Sequence, residues 1–210
     1  NKTILVEADV SNIYDRLNPR YTKSEILTVM NNQNITSNFD YIIENNNIFK
    51  YGGANTNNIM SLYHMYALQQ EDATELKYGD KFLMIPDLLN FYLTGIPANE
   101  YTDATMSLMV DQENKVWQRK IIDTLGFPKE IFSDLVMPGN VLGNIQKSMC
   151  EKLEIPSVPV INVASHDTAS AIAGVPLRDK GKKWAFLSLG TWAILGVESD
   201  KIYNDKETFA

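Results

Sequence analysis

The stretch Ile155-Pro156-Ser157-Val158-Pro159-Val160-Ile161-Asn162-Val163-Ala164-Ser165-His166-Asp167-Thr168-Ala169-Ser170-Ala171-Ile172-Ala173-Gly174 changes character in its middle. Its first half is a β-branched run of the kind that fills a buried strand. Its second half opens on small polar residues, continues through Ala and Ile, and stops on glycine, which is the composition of a short capped helix. A strand, a sharp turn and a helix are therefore expected, with Ser165, His166, Asp167 and Thr168 at the junction.

Working outward, the charged connector Leu177 to Lys183 leads into two apolar runs of strand length, Trp184 to Leu189 and Ala193 to Val197, around Gly190-Thr191. That pattern predicts a β-hairpin, and a domain boundary is placed in the connector. Upstream, Ile59, Leu62, Tyr63, Tyr66 and Ala67 recur at helical spacing behind the cap candidates Thr56 and Asn57. Pro86 and Gly95 bracket a second helix with a face of Leu88, Leu89, Tyr92 and Leu93. A third is predicted from Thr102 or Asp103, a fourth over Lys115 to Leu125 ending at Gly126, and a short fifth over Pro128 to Leu135. The asparagine-rich stretch from Asn31 to Asn58 suits loops and short helices on a surface. Helices followed by strand, helix and hairpin predict an α/β protein.

The 210 residues, 44% hydrophobic and 21% charged, are those of an ordinary globular chain and leave one or two domains open. Asn1 is not an initiator Met, and Ala210 falls inside a polar stretch from Ser199, so the chain reads as a piece of a longer protein. A net charge of -7 without a basic stripe argues against nucleic acid as partner. No apolar run approaches the roughly 18 residues of a membrane span, so no membrane association is expected. A single cysteine, Cys150, with only His64 and His166, excludes an internal disulfide and a zinc cluster and points to the cytoplasm.

Two places could carry chemistry. Asp167, at the end of a strand and the start of a helix, sits where open α/β sheets form their ligand crevice and could accept a proton from a substrate hydroxyl. Ser and Asp are also the commonest N-cap residues, so Asp167 or Ser165 could be a cap and no more. His166 can donate and accept hydrogen bonds at once, and Thr168 offers a hydroxyl to a ligand or to its own backbone. His64 is assigned no role. The turn at Leu189-Gly190-Thr191-Trp192 could form a small phosphate cradle, its glycine allowing close backbone approach, or could be an ordinary hairpin turn.

These two segments, Ala164 to Ala171 and Leu187 to Trp192, resemble those of the FGGY carbohydrate kinase family. So, in the same order, do Ile59-Met60-Ser61-Leu62-Tyr63, Met84-Ile85-Pro86-Asp87-Leu88 with Leu93-Thr94-Gly95, Glu100-Tyr101-Thr102-Asp103-Ala104-Thr105, and Pro138-Gly139-Asn140-Val141-Leu142-Gly143. The resemblance runs from Ile48 to Glu198. It implies the actin-like, ribonuclease H-like fold, with 1–176 as a sugar-binding domain incomplete at its start and 177–210 as connector and first hairpin of an ATP-binding domain. It implies ATP and Mg²⁺ as cofactors and a ketose as substrate, with L-rhamnulose phosphorylated on its C1 hydroxyl. By the same resemblance Asp167 is the catalytic base, His166 and Thr168 bind the sugar beside it, and Gly190 and Thr191 contact ATP phosphate. A kinase of L-fuculose or another ketose, or a non-catalytic sugar-binding protein on the same fold, would share these features. The family's opening Gly-rich phosphate loop and its later adenine-binding segment do not occur in the sequence, so the chain alone is expected to be inactive.

Overall fold

The computed structural model describes residues 45–53, 59–177, 183–190 and 193–204. Among these, helix α1 (Asn45–Gly52) is followed by α2 (Ser61–Gln70), α3 (Thr74–Tyr78) and α4 (Ile85–Thr94). Strand β1 (Asn99–Glu100) runs directly into the one-turn helix α5 (Tyr101–Ala104) and a 3₁₀ turn, Thr105–Ser107. Next come the hairpin β2 (Val110–Asp111) and β3 (Val116–Trp117), helix α6 (Arg119–Leu125), a second 3₁₀ turn at Lys129–Ile131, and β4 (Leu135–Val136). The remaining elements are β5 (Val141–Asn144), α7 (Lys147–Leu153), β6 (Pro159–Ile161), α8 (Asp167–Ala173), β7 (Ala185–Leu189) and β8 (Ala193–Val197).

The core lies between α2 and α6. Leu62, Tyr63, Met65 and Tyr66 of α2 share one buried apolar cluster with Ile121, Ile122 and Leu125 of α6 and with Leu108, Met109 and Val110. Three rings fill one end: Trp117 lies 4.9 Å from Phe132 and 6.1 Å from Phe82 between ring centroids, the latter pair edge-on. The Trp117 indole N–H donates to the Ser133 carbonyl at 2.6 Å, so the ring buries its polar edge with a partner.

The described strands pair in twos. β1 runs parallel to β4, with Asn99 opposite Leu135 and Glu100 opposite Val136, and a parallel bridge joins Phe82 to Phe132. β5 and β6 are antiparallel, as are β7 and β8, whose register carries Leu189 opposite Ala193. The hairpin expected around Gly190 is thus present, although Thr191 and Trp192, like the cap candidates Thr56 and Asn57, lie outside the described residues.

Several expectations are corrected. The helix expected from Lys115 starts at Arg119, because Lys115 takes a left-handed turn (φ 55°) and Val116-Trp117 pairs with β2 instead. It does end at Gly126, whose φ of 70° needs no Cβ to be accommodated. Pro128 to Leu135 forms only a 3₁₀ turn before β4. The helix predicted from Thr102 or Asp103 begins at Tyr101, with Glu100 in the capping position. Pro86 and Gly95 bracket α4 as expected, but Leu89 and Tyr92 are exposed, and the residues it buries are Asp87 and Thr94. The reason is that the Asp87 carboxylate is pinned by two donors outside the helix, Asn99 Nδ2 and the Glu100 amide, which set its roll. Finally, the β-branched run is not buried: Ile161 of β6, and Val158 and Val163 on either side of the strand, are exposed, because the described apolar core draws no residue from this run.

Candidate active site

The junction that follows β6 is held in place from two sides. Asn90 of α4 donates its side-chain amide to Asn162 Oδ1 at 3.2 Å, and the Asn162 backbone bonds to Gly139 and Asn140. Three residues on, the Ser165 amide and hydroxyl both donate to Glu100 Oε2, at 3.0 and 2.8 Å. The His166 amide points to Thr102 Oγ1 at 3.4 Å. Helix α8 then starts at Asp167.

This geometry decides part of the capping question. The N-cap position of α8 belongs to His166, whose side chain makes no capping bond, and the Ser165 hydroxyl is turned to Glu100 instead. Asp167 Oδ1 accepts the next amide, that of Thr168, at 2.5 Å and the Thr168 hydroxyl at 3.1 Å. Its carboxylate is nonetheless 87% exposed, and His166 Nε2 lies 3.8 Å away.

His166 and Asp167 open onto a cavity of about 460 Å³, a size suited to a small polar metabolite. Its wall also includes Ser61 and His64 from α2, Lys81, and Asp103 from α5. The Lys81 ammonium is held by the Glu130 carbonyl at 2.8 Å. The cavity therefore gathers an exposed carboxylate, imidazoles and a second acid around a partly apolar floor that includes Met60, Met65 and Met84.

Of the residues expected from sequence, the structure brings His166 and Asp167 together on this wall. Thr168 is bonded to Asp167 but is not part of the lining. Gly190 follows β7 on an exposed bend, away from the cavity lining, where a Cβ would meet nothing within 4 Å, and Thr191 lies outside the described residues. His64, assigned no role from sequence, is a wall residue.

Sequence reasoning missed Asp87, Glu100 and Asp103. The Glu100 carboxylate is fully buried and accepts from Thr102 N at 2.9 Å, Thr102 Oγ1 at 2.5 Å and Asp103 N at 3.0 Å besides Ser165. Glu is not among the residues that favour a helix N-cap, so local spacing could not mark it. Asp87 accepts from Met84 N, Asn99 Nδ2 and Glu100 N at 3.2, 2.9 and 2.8 Å. Burial pushes its carboxyl up from 3.8 to about 6, against the pull of those donors, and the Asp103 charge adds to the rise.

Residues 28–174 match the model of the FGGY family of carbohydrate kinases, N-terminal domain, and the chain belongs to that family. Among curated relatives it is 36% identical over 162 residues to the rhamnulokinase of Ligilactobacillus salivarius strain UCC118, covering 77% of this chain and 32% of that protein. It is 39% identical over 139 residues to the rhamnulokinase of Halalkalibacterium halodurans, covering 66% and 29%. The chain thus spans about a third of the length of the curated relatives it matches. Among solved structures, a carbohydrate kinase from Novosphingobium aromaticivorans superposes with a TM-score of 0.63 at 16% identity, over 81% of this chain and 37% of that one. The ligand-bound xylulose kinase from Lactobacillus acidophilus gives 0.55 at 20% identity, over 64% and 27%. The fold is accordingly the actin-like, ribonuclease H-like α/β fold of these sugar kinases.

Proposed function

We propose that this chain carries the sugar-binding side and the catalytic base of an ATP-dependent ketose kinase that converts L-rhamnulose to L-rhamnulose 1-phosphate. The observation that supports this reading is the exposed Asp167 carboxylate beside His166 on the wall of the cavity, within a chain whose similar curated proteins are rhamnulokinases. In this reading 1–176 is the sugar-binding domain, 177–210 begins the ATP-binding domain, and the protein works in the cytoplasm.

Asp167 takes the proton of the sugar's C1 hydroxyl as that oxygen attacks the γ-phosphorus. The new C1–O–P bond forms as the bond from the γ-phosphorus to the β,γ-bridging oxygen breaks, and ADP leaves with that electron pair. His166 orients the sugar by donating to or accepting from its hydroxyls. Thr168, whose amide and hydroxyl donate to Asp167 Oδ1, is assigned to the sugar beside the base. Gly190 and Thr191 are assigned to the phosphates of ATP. ATP supplies the phosphoryl group, and Mg²⁺ would offset its charge. Among the described residues no group of three His, Cys, Asp or Glu side chains converges to hold a metal ion.

The test is ADP release by the full-length protein with L-rhamnulose, L-fuculose, L-xylulose and L-ribulose in turn. Highest kcat/KM with L-rhamnulose is expected. Preference for L-fuculose would move the assignment to that sugar, and sugar binding by calorimetry without turnover of any ketose would replace the kinase by a sugar-binding protein on the same fold.

A further inference from the structure

We propose that Glu100 is the positioning residue of this site: its buried carboxylate fixes Ser165 and His166, and through them the place of Asp167. The proposal rests on the reading of Asp167 as the base.

The role follows from how the carboxylate is used. All five of its hydrogen bonds are accepted, and they come from two separate parts of the chain. Oε1 takes the Thr102 amide alone, whereas Oε2 takes the Thr102 hydroxyl, the Asp103 amide, and the amide and hydroxyl of Ser165. One oxygen therefore joins the first turn of α5 to the segment that enters α8, 65 residues later. Thr102 adds a second tie, since the hydroxyl that donates to Glu100 also accepts from the His166 amide. The backbone amides one and two residues before Asp167 are thus both satisfied by this pair.

Capping alone does not account for a glutamate here. A shorter Asp, Asn, Ser or Thr would satisfy the amides of α5 at least as well. The additional methylene is what lets Oε2 serve Ser165 while it caps, and burying a carboxylate completely is tolerable only when such donors surround it. The other end of the residue is also restrained, because the Glu100 amide donates to Asp87 Oδ1 at 2.8 Å and its strand pairs with β4. The acid is therefore fixed at backbone and side chain alike, on an element separate from the one it positions.

Two substitutions separate positioning from capping because they predict opposite orders. Glu100→Asp keeps a good cap but withdraws from Ser165. Glu100→Gln keeps the length and an oxygen for Ser165 but sets an NH₂ group against the Thr102 amide. Positioning predicts that kcat falls by about 10- to 100-fold in Glu100→Asp and less in Glu100→Gln, since displacement of a reacting group by about 1 Å can cost about 10²-fold. Hydrogen exchange at the Ser165 and His166 amides should accelerate by about tenfold or more in Glu100→Asp and less in Glu100→Gln.

Measured in the full-length protein at a temperature where both variants are folded, the reverse order in kcat and exchange would overturn the proposal. Wild-type protein that turns over no ketose would remove the kinase reading while leaving the exchange order to decide whether Glu100 holds the segment. Should either Glu100 variant fail to fold, Ser165→Ala, which removes only the hydroxyl end of the contact, is read in the same two ways. A kcat lowered several-fold with faster exchange at His166 supports positioning, and wild-type values in both overturn it.

Discussion

Glu100 and Asp87 are joined backbone to side chain: the Glu100 amide donates to Asp87 Oδ1 at 2.8 Å, and neither residue exposes more than 2% of its surface. One buried acid of α4 thereby seats a second at the end of β1, and the second reaches the segment that precedes Asp167. The route from the fold to the candidate site runs through polar contacts as much as through the apolar core, and each part of it can be tested.

Asp167→Asn keeps the size of the side chain and an oxygen for the Thr168 amide, and it removes the base. General-base catalysis contributes typically about 10² to 10⁴ in rate. Turnover of the ketose by the full-length protein should fall by at least that, with the unfolding midpoint little changed because the carboxylate is 87% exposed. A folded variant with normal turnover would return Asp167 to a local structural role.

Asp87 makes stability depend on pH in a direction opposite to that of a salt-bridged acid. Its carboxyl is raised from 3.8 to about 6 in the folded protein, chiefly by burial, so between those values the folded state binds more protons than the unfolded chain. The resulting stabilisation is fully present below 3.8 and is lost as pH rises through about 6. The change corresponds to about 3 kcal/mol. Urea unfolding of the protein and of Asp87→Asn from pH 4 to 7 should show the difference ΔG(wild type) minus ΔG(Asp87→Asn) decreasing with pH. A difference that is flat or rising would mean that the buried carboxyl is not raised.

Trp117→Phe separates the indole N–H from the ring packing. The bond to the Ser133 carbonyl is buried and leaves that oxygen without its donor when it is lost, while the smaller ring leaves space beside Phe82 and Phe132. A destabilisation of about 2 to 4 kcal/mol is expected, read as a lower urea midpoint at unchanged slope. A loss below about 0.5 kcal/mol, the size of an ordinary surface substitution, would show that neither the bond nor the packing matters at this position.

Much of this is legible in the sequence. Gly95 and Gly126 both stop helices at positive φ, as their place after apolar helical runs implies, and the apolar runs around Gly190 pair in register. His166 and Asp167 could be singled out because acid and imidazole fall together between a β-branched run and a capped helix. The departures from the sequence pattern share a cause. Val116-Trp117 looked helical by spacing, yet the left-handed turn at Lys115 lets it pair with Val110-Asp111, a choice that depends on a neighbouring strand. Leu89 and Tyr92 looked like a core face, yet the roll of α4 is set by the donors around Asp87.

The sequence by itself determined the positions of the helix stops, the closing hairpin, and the His166-Asp167 pair with its family, because these depend on residues adjacent in the chain. Only the tertiary structure decided that Glu100 and Asp87 act together, that His64 and Asp103 face the cavity, and that Ser165 serves an acid rather than a helix end. The physical reason is distance along the chain. A hydrogen bond acts over about 3 Å of space, and donors that are 65 residues from their acceptor leave no periodicity for a sequence to display.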